Sequence, residues 1–203
     1  MIGKAGTLGT VGSTSFFPSK NLGCYGDGGA LLTGDDDLAE RLRQVANHGQ
    51  RRQYYHDVVG VNSRLDAIQA AVLRVKLPHL DAYNTARRGA ANYYDAAFDD
   101  LDWLQLPTRA PYSTHCFHQY TLRVLDGRRE GLRSHLRELG VSHNVYYPVP
   151  LYRQGAFAKW VPEGFTLANT ELLCDQVISL PMHTELDAET LDYVVEAVRS
   201  FGG

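Results

Sequence analysis

A chain of 203 residues has room for one large domain or two small ones, and its 44% hydrophobic content is enough to build a core. A net charge of −3, with acidic and basic residues interspersed, excludes nucleic-acid binding by bulk charge. No run of about 18 apolar residues exists to span a membrane, and the opening "MIGKAGTLGTVGS" lacks the apolar centre of a signal peptide.

In chain order, "TSFF" (Thr14 to Phe17) and "GALLT" (Gly29 to Thr33) read as short buried strands flanking a loop. A helix follows from Asp35, with carboxylates at its N-terminus, Leu38, Leu42 and Val45 at helical spacing, and Gly49 as its stop. "QRRQYYHDVVGVNSR" reads as an irregular loop. A second helix starts at Leu65 and lines one face with Leu65, Ile68, Val72 and Val75. Pro78 predicts a kink or restart, after which the helix runs on as a connector towards the second half.

That second half reads as a small α/β unit. "HQYTLRV" is a strand, and "GRREGLRSHLRELG" is an amphipathic helix with Leu132, Leu136 and Leu139 inward and Gly140 as its stop. "VSHNVYYPVPLY" reads as a strand ending in a proline-punctuated loop. "TLANTELLCDQVISLPMH" gives a helix and then a strand to Leu180. The last helix spans Asp187 to Phe201, with Asp187 as cap and Leu191, Val194, Val195 and Val198 on its apolar face.

Cys24, Cys116 and Cys174 are odd in number and far apart, with no CxxC, which predicts buried or half-buried thiols in a reducing, cytoplasmic setting. His115 and His118 stand three apart. At strand spacing they point to opposite faces, so no metal site is predicted.

The chemistry concentrates at "STSFFPSKNLGCYGDGGALL", where Lys20 precedes a loop with four glycines in the seven positions 23–29. A lysine amine can form a Schiff base with an aldehyde cofactor, of which pyridoxal phosphate is the commonest. Ser13, Ser15 and Ser19 offer hydroxyls for a phosphate, and the spacing from Ser15 to Lys20 lets one residue hold the phosphate while the other reaches the aldehyde. The loop is neither a Walker loop nor a GxGxxG fingerprint. On composition alone a solvated lysine in a strand–turn–strand connection is the commoner reading.

"SFFPSKNLGCYGDGGALLT", "NHGQ", "YYHDVVGVNSRLDAIQAAVLRVKLPHLDAYN", "FHQYTLRV", "YYPVPLY" and "SLPMHTELD" together resemble the DegT/StrS-type sugar-nucleotide aminotransferases over essentially the whole chain. The resemblance implies an α/β fold: the C-terminal portion of a fold-type-I enzyme that uses pyridoxal 5'-phosphate. It comprises the end of a large-domain sheet with the cofactor lysine in residues 1–85, a long connecting helix, and a small α/β domain in residues 86–203. It implies that Lys20 carries the cofactor and shuttles protons. Ser15 binds its phosphate, and Asn62 reaches a partner subunit's cofactor phosphate. Arg64 binds a substrate phosphate or carboxylate, and Tyr146 and Tyr147 lie near the nucleotide sugar. The implied partners are a nucleotide-sugar substrate, an amino donor such as glutamate, and a second copy of the chain in a homodimer with shared sites. "FHQYTLRV" and "YYPVPLY" most resemble members acting on UDP-linked 3-keto sugars of surface polysaccharide pathways.

By themselves Asn62 and Arg64 also read as a helix cap and a solvated charge, Ser15 as a strand-end hydrogen bond, and the two tyrosines as packing. Tyr152 stands where related enzymes often have histidine, and Pro78 replaces a usual helix former. The acidic partner of the cofactor ring, its stacking side chain and further phosphate donors are not identified in these 203 residues. The two apolar strands read as parallel-type strands wanting neighbours on both sides. The chain therefore reads as part of something longer, inactive in transamination by itself. A non-catalytic remnant is the alternative from another class. A sugar dehydratase of the same family is disfavoured, because those enzymes carry histidine at the lysine position.

Overall fold

The computed structural model describes residues 3–202, which form a mixed α/β chain in two compact units, one up to Asp81 and one from Ala82. In the first unit, β1 (Gly12–Ser15) pairs antiparallel with β2 (Gly29–Leu32), in the register Gly12 to Leu32 through Ser15 to Gly29. This corrects the expectation of parallel-type strands buried on both faces: the two strands partner each other, and Leu31 is 56% exposed. β1 also ends before Phe16 and Phe17, because the chain turns at Pro18.

α1 (Asp36–Ala46) follows the reading in extent and cap, but Val45 of the expected stripe is exposed and Gln44 is buried instead. The Asp35 side chain accepts a hydrogen bond from the Leu38 N–H at 3.0 Å, satisfying a donor the helix itself cannot reach. Gly49 ends the helix region at φ +75°, its N–H bound to the Gln44 carbonyl. Residues 50–64, expected to be an irregular loop, contain a hairpin of β3 (Gln50–Arg52) and β4 (Tyr55–His56). Strands this short show no alternation that periodicity could reveal.

Gly49 fastens this hairpin, since its carbonyl accepts from the Asp57 and Val58 N–H groups at 3.0 and 3.3 Å. A β-carbon there would lie 1.7 Å from the Val58 carbonyl oxygen. Gly49→Ala is therefore expected to cost roughly 1–3 kcal/mol in backbone strain alone, with the collision added. Faster hydrogen exchange at the Asp57 and Val58 amides measures it.

α2 (Ala67–Lys76) passes through a 3-10 turn at Leu77–His79 into α3 (Leu80–Phe98), so the interruption expected at Pro78 is a change of helix type. The inward face of α2 is turned one residue from the expected stripe. Ile68 and Val75 are 73% and 70% exposed, while Leu73 is buried and Gln69, Val72 and Lys76 are half-buried.

In the second unit, β5 (Leu104–Gln105), β6 (Tyr120–Val124) and β7 (Val177–Leu180) form an antiparallel sheet in that order. The alternating burial of β6 puts Tyr120, Leu122 and Val124 on one face. They join residues of α3, α4 (Arg129–Glu138) and α6 (Ala188–Gly202) in one apolar cluster. Leu132 and Leu136 of α4 are fully buried. Leu139, expected inward, is exposed because it lies past the last turn, at the cap before Gly140 (φ +71°). α6 is capped as read, the Asp187 carboxylate accepting from the Thr190 N–H at 2.8 Å.

The expected strand in "VSHNVYYPVPLY" is absent. Only Asn144 bridges to Ser179 of β7, and the prolines that follow cannot extend a ladder. The helix expected before Leu180 is α5 (Ala168–Gln176). Arg87 of α3 is buried, and its Nη1 donates to the carbonyls of Phe117, His118 and Met182 at 2.9–3.2 Å. Burial lowers its pKa.

Cys24 and Cys174 are buried, whereas Cys116, expected to be buried or half-buried, is exposed. Among the described residues no helix is long and apolar enough to cross a membrane.

Candidate functional site

The lysine loop is built from its base outward. The Phe16 N–H donates to the Gly28 carbonyl at 2.8 Å, continuing the β1–β2 pairing by one bond. The Ser15 hydroxyl oxygen accepts the Phe17 N–H at 3.2 Å. Phe17 to Lys20 then form a β-turn closed by the Lys20 N–H to the Phe17 carbonyl at 2.8 Å. Pro18 takes its second position, where the ring presets the required φ. Lys20 thus stands half-buried at the end of a stiff turn, five residues from a serine whose own hydroxyl proton is not used in that bond.

The return limb is clamped from inside. Cys24, 1% exposed, donates its N–H to the Phe16 carbonyl at 2.8 Å, and its sulfur lies 3.0 Å from the same oxygen. Gly23 is required by close approach: a β-carbon there would sit 2.4 Å from the Pro18 carbonyl oxygen. The glycines that drew attention in the sequence therefore let the limb fold against the turn that carries Lys20.

Two residues missed in the sequence brace this loop from α2. Gln69 Oε1 accepts the Tyr25 N–H at 2.8 Å, and Lys76 Nζ donates to the Gly23 carbonyl at 2.6 Å. Their spacing could have placed them on one face but not named their partners. They stand seven apart, two helical turns, on the face that also carries Val72 and Leu73.

Asn62 and Arg64 form a separate group in the same unit. The segment around them is fastened to the end of α1, with the Val61 and Ser63 N–H groups donating to the Val45 and Ala46 carbonyls at 2.8 and 2.9 Å. These are carbonyls that a helix end leaves without an internal partner. The Asn62 Oδ1 accepts from the Arg64 Nε at 3.1 Å, and both side chains are exposed. Neither caps α2: its cap position is Asp66, which makes no side-chain capping bond.

Tyr146 and Tyr147 belong to the second unit. Their rings meet edge to face at 5.7 Å, and Tyr147 is the more exposed. The Asn144 amide donates to the Tyr146 hydroxyl at 3.0 Å and ties the pair to β7 through the Asn144–Ser179 bridge. Tyr152 has a local role. Its hydroxyl donates to Glu171 of α5 and accepts the Leu167 N–H at 3.2 Å.

His115 and His118 are not on a strand as expected: the chain turns at Phe117 (φ +44°), and the His115 Nδ1 accepts the Phe117 N–H at 2.9 Å. No group of three metal-ligating side chains occurs among the described residues. An open cleft of about 850 Å³ lies in the first unit between the β1–β2 hairpin and α1, lined by Ser13, Thr14, Leu31, Leu32, Leu42 and Arg43. Lys20 is not part of its wall.

The sequence model of the DegT/DnrJ/EryC1/StrS aminotransferase family matches residues 3–199. The chain is 44% identical over 198 residues to a "pleiotropic regulatory protein" of Geobacillus stearothermophilus, covering 97% of this chain and 53% of that protein. It is 42% identical over 198 residues to the dTDP-3-amino-3,4,6-trideoxy-α-D-glucose transaminase of Streptomyces venezuelae, covering 98% and 52%. The crystal structure of S. venezuelae DesV in complex with a ketimine intermediate superposes with a TM-score of 0.90 at 43% identity, covering 95% of this chain and 52% of that one. The chain spans about half the length of the curated relatives it matches.

Proposed function

The chain belongs to the DegT/DnrJ/EryC1/StrS aminotransferase family, and from that premise we propose that its Lys20 loop serves the transfer of an amino group to a keto-sugar nucleotide, with pyridoxal 5'-phosphate as cofactor. The observation that carries the reading is local. A lysine ends a proline-led turn, glycines clamp that turn, and a serine hydroxyl stands at the start of the same loop.

These residues fit the cofactor by the chemistry of their donors. The Ser15 oxygen accepts a backbone N–H and keeps its proton for a phosphate oxygen. When bound, the cofactor supplies the aldehyde that accepts an amino group and the ring that stores the electron pair. Lys20 supplies the amine that holds the cofactor, and the same nitrogen takes and returns a proton. Arg64 uses only its Nε on Asn62, and its planar fork suits a phosphate or carboxylate. Asn62 keeps its amide N–H groups as donors for a phosphate. Tyr146 and Tyr147 offer an edge-to-face aromatic pair for a nucleotide sugar.

The amino donor in this reading is glutamate, and two copies of the protein share their sites through Asn62 and Arg64. The resemblance of "FHQYTLRV" and "YYPVPLY" favours UDP-linked 3-keto sugars of surface polysaccharide pathways. The S. venezuelae relative is named for a dTDP-linked sugar, so a substrate panel must contain both nucleotides.

The test is chemical. The protein is saturated with pyridoxal 5'-phosphate, reduced with borohydride, digested and mapped. Among its four lysines, the stable label is expected on Lys20. Label confined to Lys4, Lys76 or Lys159 would falsify the assignment. The 203 residues alone are expected to lose the cofactor on dialysis and to show no turnover on the panel. Retained stoichiometric cofactor with clear amino transfer would show that they suffice.

A further inference from the structure

We propose that Gln69 and Lys76 are positioning residues for Lys20, an inference that rests on the cofactor role assigned above to that lysine. The loop of residues 16–28 closes its own base, through Phe16 and Gly28, and its own interior, through Cys24. It does not satisfy its outer limb. The Gly23 carbonyl and the Tyr25 N–H are not used in the loop's own closing bonds, and the carbonyl of buried Gly23 in particular needs a partner. α2 provides both, an ammonium for the carbonyl at 2.6 Å and an amide oxygen for the N–H at 2.8 Å. The first of these is charge-assisted, the stronger kind of hydrogen bond.

The bracing reaches Lys20 through contact. Lys76 holds Gly23, and Gly23 is packed so closely under Pro18 that a single β-carbon would collide with the Pro18 carbonyl. Pro18 sets the turn that ends at Lys20. Gln69 acts beside it: a β-carbon on Gly26 would lie 3.2 Å from its side-chain nitrogen. Leu65, just before α2, presses on Gly28, where an added β-carbon would come within 2.9 Å. α2, through Gln69 and Lys76, and Leu65 before it thus meet the far side of the loop at three points. Lys76 has a role distinct from that of Lys20, because its Nζ is engaged as a donor to the Gly23 carbonyl.

The experiment pairs removing and conserving variants: Lys76→Met with Lys76→Arg, and Gln69→Leu with Gln69→Glu. Hydrogen exchange of the 16–28 peptide is followed without cofactor, and the rate of borohydride-trapped label at Lys20 is followed with pyridoxal 5'-phosphate. Exchange is expected to quicken roughly tenfold in Lys76→Met and Gln69→Leu, as loss of one well-made hydrogen bond opens a local segment. The Lys20 labelling rate is expected to change severalfold in the same two variants. Lys76→Arg keeps a cationic donor and Gln69→Glu keeps an acceptor, so both are expected to restore each readout. Unchanged exchange in Lys76→Met and Gln69→Leu overturns the bracing, while wild-type label on Lys20 leaves the cofactor reading standing. Faster exchange with unchanged Lys20 labelling overturns the positioning and leaves only a structural tie. Wild-type label away from Lys20 overturns the cofactor reading, and the positioning role with it.

Discussion

Lys20→Arg is expected to lower amino transfer by at least about a thousandfold, the upper part of the range that removal of a positioned proton-transfer group produces. The measurement belongs in a protein of the relatives' full length that carries these residues. Arginine keeps the charge and most of the reach of lysine, so the variant isolates the one property that matters. A guanidinium does not give up its proton at working pH and cannot act as an amine nucleophile. Arginine also keeps the backbone N–H that closes the turn at this position onto the Phe17 carbonyl. Unaltered exchange of the 16–28 peptide is the control. A variant that keeps more than about a tenth of the wild-type rate shows that Lys20 is not the residue on which the chemistry turns.

The largest expected effect on stability is that of Phe98→Ala in the second unit. Phe98 is fully buried at the end of α3 and stacks on Tyr94 at 5.8 Å, itself fully buried and tilted against Tyr120 at 5.0 Å. Truncation removes the ring and leaves a cavity among side chains that have little room to relax, at a cost of about 3–5 kcal/mol. That is a large share of the 5–15 kcal/mol that holds a typical domain together. The unit carries its own reporter. Trp103 is buried edge-on against Phe201, while the protein's other tryptophan, Trp160, is largely exposed. The fluorescence midpoint of Trp103 in urea therefore follows this core, and a shift worth less than about 1 kcal/mol contradicts the packing described.

What was legible in the sequence was short-range. The caps at Asp35 and Asp187 were readable because each carboxylate bonds an N–H three residues away. Leu132 and Leu136 were readable because four residues bring a helix back to the same face. Lys20, Ser15 and the glycines were readable as a group because one loop holds them. The face of α2 was misread because the stripe was sought among apolar residues alone. Its inward side is half polar, with Gln69 and Lys76 directed at backbone groups 44 and 53 residues earlier in the chain. No local pattern encodes a partner at that separation. The strand expected near Asn144 failed for a different reason: β-rich composition was present, but of that segment only Asn144 pairs with Ser179, and the prolines that follow cannot extend a ladder.

The division of labour around the lysine loop sets what can be moved. Phe16, Cys24 and Gly28 close the loop from within, so a transplant of residues 16–28 onto another hairpin would carry its own closure. It would leave Gln69 and Lys76 behind, and with them the fastening of the outer limb. The smallest portable unit is therefore discontinuous: thirteen residues of loop together with two turns of a helix drawn from elsewhere in the chain.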